Sequence, residues 1–251
     1  MATSPPEKPA YVMPHLKSCD HPTPSAPIST WGSVISVIVG EEKKVYQVHK
    51  GLLLYHSSYF VGALEGGFKE SETEVVELFT DEVVVFDAVY CWLYKGHLFD
   101  SPSAGKPTDV SLLYDLLCKI FVFGDMRGIP ALKNAAIDLL HSSICIKWKF
   151  PKTQVRFIYE NTMEGSLLRK FIVDMAVLIA SCETFLSFDK DGTNFTTEFL
   201  MDVIKALNDQ GGKWLVIGRD AFAVIDRCQY HDHSGPGGKL RNVGTSGEDS
   251  G

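Results

Sequence analysis

The hydrophobic period of this chain changes at His49. Before it, Val34 to Val39 is a β-branched run, Gly40-Glu41-Glu42-Lys43-Lys44 is a polar turn, and Val45 to Val48 resumes an extended pattern. β-Branched side chains suit a pleated surface, so the segment predicts a strand–turn–strand hairpin. After His49, Leu52, Leu53, Tyr59, Phe60, Ala63 and Leu64 recur at a helical period. The pattern reads as two short helices broken around His56-Ser57-Ser58. Ser57 or Ser58 is placed to cap the second, and Gly66-Gly67 to end it.

Glu74 to Phe79 is a third strand candidate. Asp81 is expected to cap the helix that follows, in which Val85, Phe86, Val89, Trp92 and Leu93 share one face before Gly96. Beyond a polar loop over Ser101 to Asp109, Leu112, Leu113, Leu116, Leu117, Ile120, Phe121 and Phe123 form a strongly apolar helix. Gly124 to Pro130 breaks it, and Ala131 to Ile144 supplies another, with Leu132, Ala135, Ala136, Leu139 and Leu140 facing inward. This order predicts an α+β domain over residues 31–146, a small sheet with a cluster of helices.

A second block carries helical stripes at Val155, Ile158 and Tyr159, at Leu167 to Ile179, and over residues 198–208. It predicts an α-helical extension over 152–226. Residues 1–30 are punctuated by Pro5, Pro6, Pro9, Pro14, Pro22, Pro24 and Pro27, which forbid a helix, so a disordered arm is expected. The Gly-rich, polar residues 234–251 are expected to be a disordered tail.

Hydrophobic residues make up 45% of the 251, enough to bury a sizeable core, and the formal net charge is −7. An acidic balance without clustered Lys and Arg argues against a nucleic-acid surface. No secretory pattern is visible at Met1 to Ala10, and no apolar run approaches the roughly 20 residues needed to cross a bilayer. The six cysteines are widely spaced with no CxxC pair, unlike a disulfide framework. An intracellular protein of the cytoplasm and/or nucleus is expected, with no membrane contact.

Several motifs in fixed order carry a resemblance. Val45-Tyr46-Gln47-Val48-His49-Lys50-Gly51-Leu52-Leu53 enters a helix from a strand, followed by Ser57-Ser58-Tyr59-Phe60 and Gly67-Phe68-Lys69-Glu70-Ser71. Val76-Glu77-Leu78, Trp92-Leu93-Tyr94-Lys95-Gly96-His97-Leu98, Phe121-Val122-Phe123-Gly124-Asp125 and Ile129-Pro130-Ala131-Leu132-Lys133-Asn134 continue it. Over residues 31–146 the chain resembles the BTB (POZ) domain family, with Val48, His49, Lys50, Ser58, Tyr59 and Phe60 as its fold signature. The wider chain looks like the BTB proteins of filamentous fungi that carry a helical extension, on the runs Ile158 to Thr162 and Leu168-Arg169-Lys170.

The resemblance implies a docking adaptor that binds other proteins, in its sharpest form a substrate receptor of a cullin ubiquitin ligase. Phe68-Lys69-Glu70 matches the hydrophobic-x-Glu motif of cullin-binding members, which makes Phe68 and Glu70 the partner-binding candidates. An aromatic anchor in a partner pocket with a nearby carboxylate resembles a small interaction hot spot; the alternative is that Phe68 caps the core and Glu70 is solvated. The competing function is a self-associating scaffold or transcription-associated BTB protein without a ligase role. Ser33 stands where members often carry Asp at the dimer groove, so a corepressor-type groove is not expected. The Pro-rich arm cannot supply the N-terminal helix that many dimeric members swap.

Sharper chemistries fit poorly. Asp189 to Asn194 begins like a calcium loop, but position 6 is Asn194 and position 12 is Leu200, where such a loop needs Gly and Glu. A polar turn, with Thr197 capping the next helix, is the preferred reading. Cys228, His231 and His233 make three possible zinc donors where a structural site needs four. The fourth would have to be an unidentified residue such as another cysteine, so no metal and no cofactor are expected. There is no G-x-S-x-G, phosphate loop or HExxH. His49 lacks triad partners and is expected to satisfy local backbone groups. No enzyme is expected.

Overall fold

The computed structural model describes residues 11–14, 19, 21, 24–98 and 114–236. The expected loop over 101–109, Leu112, Leu113, the first ten residues of the arm and the tail beyond residue 236 lie outside the described residues.

The hairpin forms as its sequence dictates. Strands β1 (Val34–Val39) and β2 (Lys44–His49) pair antiparallel, from Val34 opposite His49 to Val39 opposite Lys44. Strand β3 (Val75–Leu78) lies parallel to β1, giving the order β2-β1-β3. A parallel partner demands a crossover. Here it consists of α1 (Lys50–His56), α2 (Ser58–Glu65) and α3 (Lys69–Thr73). Alternation does the rest: Ile35, Val37, Val39, Tyr46, Val48, Val76 and Leu78 are buried on the helical side.

Two local devices fix the crossover. Ser57 caps α2, its Oγ accepting from the Phe60 amide at 3.1 Å and donating to the Arg127 carbonyl at 2.6 Å. The cap alone contributes about 1 kcal/mol, and the second bond ties the helix pair to a segment 70 positions away. At Gly51 the incoming chain crosses α1, the Gly51 amide donating to the Trp31 carbonyl at 2.7 Å. A Cβ there would meet the Thr30 carbonyl oxygen at 1.6 Å, so only glycine fits.

Helix α4 (Val83–Lys95) follows, ending at Gly96 with φ +73°. The expected Asp81 cap is not made: Glu82 occupies the N-cap position without a side-chain bond. Asp81 instead meets the Arg127 guanidinium at 2.5 Å. A charge-assisted bond outweighs one to a first-turn amide. The last two helices of this part are α5 (Tyr114–Met126) and α6 (Pro130–Lys147). Pro130 opens α6, where its missing N–H costs nothing. Leu132, Ala136 and Leu140 are buried as the stripe requires, while Ala135 and Leu139 are only partly covered.

The C-terminal part is helical: α7 (Val155–Asn161), α8 (Leu167–Ile179), α9 (Cys182–Ser187), α10 (Thr197–Asp209) and α11 (Arg219–Ala223). Helix α9 was not expected from the sequence; it is six residues long, with Ser181 as its cap. Helix α10 is capped by Thr196, one residue before the expected Thr197. Phe150, Phe185, Phe195 and Phe199 stack among these helices, with ring centroids 4.8–6.4 Å apart. The buried apolar residues form one continuous cluster from the sheet, through α5 and α6, to Tyr230.

Of residues 1–30, those described run against both parts of the fold. Tyr11 donates to Asp220 at 2.8 Å beneath the Arg219 guanidinium, and Tyr55 donates to the Pro24 carbonyl at 3.1 Å. Their one helical turn is Ile28–Thr30. No helix among the described residues is long and apolar enough to cross a membrane.

Candidate functional site

The signature residues Val48 to Phe60 build the scaffold. Val48 is the last inward residue of β2, and Phe60 is fully buried. The Lys50 amide donates to the Ser33 carbonyl at 2.8 Å as α1 begins. The amides of Ser58 and Tyr59 reach the carbonyls of Gly128 and Arg127, and the Arg127 guanidinium lies over the Tyr59 ring. His49 does not satisfy backbone groups with its ring, contrary to expectation. Its Nδ1 lies 2.9 Å from the Tyr94 hydroxyl, which also accepts from the His49 amide, and Trp31 packs against the ring.

Phe68 and Glu70 sit differently. Phe68 holds the N-cap position of α3, its carbonyl accepting from the Ser71 amide at 2.9 Å and the Ser71 hydroxyl at 2.6 Å. The backbone is pinned, but the side chain is 62% exposed, so Phe68 does not cap the core. Its ring folds toward Gly66, where a Cβ would come within 3.0 Å of it. Glu70 lies in the first turn of α3, where a carboxylate complements the helix dipole. Ser58, Tyr59, Gly62, Ala63, Phe68 and Glu70 line a groove of about 380 Å³ between α2 and α3. An aromatic ring and a carboxylate at the mouth of such a groove are groups that can contact a protein partner.

A second constellation lies at the C-terminal end. The last turn, Arg227–Tyr230, leads into residues 231–234, which are fastened onto α6. Asn134 exchanges two hydrogen bonds with the Asp232 backbone, at 2.8 and 3.0 Å, and Lys133 meets the Asp232 carboxylate at 2.9 Å. Asp138 binds both Arg227, at 2.5 Å, and His231 Nε2, at 3.1 Å. This fastening collects Cys228, His231 and His233 and sets Cys19 among them. The three-donor run in the sequence thus gains a fourth donor, from a residue no spacing argument could assign. Burial raises the Cys19 thiol pKa, but the His231 side chain and the His21 amide outweigh it and bring it below the usual value.

The Asp189 turn is closed on itself. The Asp189 carboxylate accepts from the amides of Asn194 and Phe195, both at 2.8 Å, and from the Asn194 side chain at 3.0 Å. Both of its oxygens accept from the loop's own N–H groups.

A three-stranded mixed sheet backed by α1–α6 is the architecture expected of the family that the motif order resembles. Comparison with known families agrees: residues 35–118 match the model of the BTB/POZ domain. The chain therefore carries a BTB/POZ domain in this region, followed by further helices. BTB/POZ domains are protein-interaction modules, some of them self-associating, and not typically enzymes.

Proposed function

We propose that this protein is an adaptor whose BTB/POZ domain docks the scaffold of a cullin ubiquitin ligase through Phe68 and Glu70. The observation that supports it is the pairing of an exposed Phe68 with Glu70 over the α2–α3 groove. An exposed aromatic on a pinned backbone loses little freedom on binding, which suits a hot spot. In this reading residues 31–146 are the BTB/POZ domain of an intracellular protein of fungal type. The extension over 152–226 contacts the client to be modified.

The test is a pull-down of the cullin N-terminal region by the full chain and by the Phe68→Ala/Glu70→Ala double variant. Binding by the wild type that falls at least tenfold in the variant supports the reading. Absent binding, or binding the variant leaves unchanged, sinks it. A stable homodimer by sedimentation, together with absent cullin binding, favours the self-associating scaffold.

A further inference from the structure

We propose that Cys19, Cys228, His231 and His233 form a structural zinc site that clips the N-terminal segment to the C-terminal end of the fold. The four donor atoms all lie within 4.8 Å of one another. Cys19 Sγ is 3.4 Å from Cys228 Sγ and 3.3 Å from His233 Nε2. Zinc holds thiolate sulfur at about 2.3 Å and imidazole nitrogen at about 2.0–2.1 Å, so the edges of its tetrahedron are about 3.3–3.8 Å. The two edges at Cys19 already have that length, and every other pair of donors lies within 4.8 Å. The two sulfurs lie well beyond the roughly 2.05 Å of a disulfide.

His231 supplies an independent sign that the cluster faces a ligand. Its side chain is only 2% exposed, and its Nδ1 is buried without a hydrogen-bond partner. A buried polar atom left so is costly in a folded protein, because it has given up its hydrogen bonds to water. The other ring nitrogen explains why Nδ1 is the free one. The Asp138 carboxylate accepts only, so His231 Nε2 carries the proton between them and Nδ1 is left for coordination. A carboxylate holding a ligating histidine through its second nitrogen is the usual outer arrangement of zinc sites. The His21 amide, 3.4 Å from Cys19 Sγ, is placed to stabilise a coordinated thiolate.

Two thiolates and two imidazoles select zinc over calcium or magnesium, which require oxygen. Four protein donors leave no open position, so the site is structural rather than catalytic. Its consequence is mechanical, since it closes a loop of 209 positions between Cys19 and Cys228. Binding to the folded state alone also stabilises that state by mass action.

The test is elemental analysis of the full chain purified under reducing conditions, followed by cobalt(II) titration of the stripped protein. One zinc per chain is expected, and cobalt should give the intense visible bands of a tetrahedral site with a thiolate-to-metal band in the near ultraviolet. Cys19→Ser and Cys228→Ser should each weaken the thiolate band and lower metal affinity at least tenfold. Asp138→Asn should lower affinity about 10–100-fold. His233→Ala, at an exposed position, is the variant expected to keep its circular dichroism while losing metal. The proposal is overturned by substoichiometric metal in the wild type, by affinity unchanged in Cys19→Ser or His233→Ala, or by a Cys19–Cys228 disulfide in freshly isolated protein. Stoichiometric iron or copper in place of zinc overturns the metal assignment. None of these outcomes depends on cullin binding.

Discussion

The α2–α3 groove and the Cys19–His233 cluster are built by opposite strategies. The groove is nearly local: its lining residues span Ser58 to Glu70 on α2, the turn after it and α3, with distant ties only from the start of α2 to residues 127–128. The cluster is assembled from the two ends of the chain, Cys19 and residues 228–233, and stands only while α6 holds the incoming segment in register. A local site survives loosening elsewhere, because its geometry is set by turns and caps. A site closed over 209 positions fails when any link in the closure fails. The groove therefore suits an exchangeable partner, and the cluster suits a permanent clasp.

The largest effect expected separates the groove's exposed aromatic from a ring that builds the core. Phe199 is fully buried among Phe150, Phe185, Phe195 and Tyr159, whereas Phe68 is 62% exposed. Phe199→Ala should cost about 3–5 kcal/mol, the range for deleting a buried aromatic ring. Phe68→Ala should stay within about 0.5 kcal/mol of wild type, as surface changes do. Urea denaturation of both variants measures the difference. A loss above about 2 kcal/mol for Phe68→Ala would show that the ring belongs to the core and not to a docking surface.

The same contrast accounts for what could be read in the sequence. Strands β1 and β2, the helix pair and the Gly66-Gly67 stop were legible because each depends on neighbours within a few positions. Phe68 and Glu70, two residues of one three-residue motif, could be named as candidates for the same reason. Cys19 was not: nothing in the spacing of six scattered cysteines marks it as the partner of Cys228. Asp81 misled for a related reason. Its local signal was a cap, but Arg127, 46 positions away, offered a stronger partner. The brevity of α9 hid it, since six residues carry too little periodicity to recognise.

A second, smaller perturbation acts where the incoming segment crosses the fold. Gly51→Ala would drive a Cβ into the Thr30 carbonyl and lift residues 30–33 from the start of α1. Overpacking of this kind costs about 1–3 kcal/mol. The two surfaces should respond unequally. Cobalt affinity at the cluster falls at least tenfold, because Cys19 is carried on the displaced segment, while partner capture at the groove is retained. Measuring both on one preparation checks the claim; equal loss at both surfaces would mean the groove is not local after all.

The smallest effect expected is the share of the acid response that arises at the Asp189 loop. Burial raises the Asp189 pKa, but the amides of Asn194 and Phe195 and the Asn194 side chain outweigh it and hold the carboxyl below its ordinary value. A carboxyl depressed in the folded state contributes stability above its unfolded pKa of roughly 3.9 and loses that contribution as pH falls through the lower folded value. The group is mostly solvated, so screening limits the contribution to under about 1 kcal/mol. Because this loop delivers Phe195 into the aromatic cluster, acid should loosen the packing around Phe185 and Phe199 before it disturbs the groove. Hydrogen exchange between pH 5 and pH 3 should show faster opening of α9 and α10 than of α2, and Asp189→Asn should remove most of that difference. Equal acceleration in α2 would place the acid sensitivity in the shared core instead of the loop.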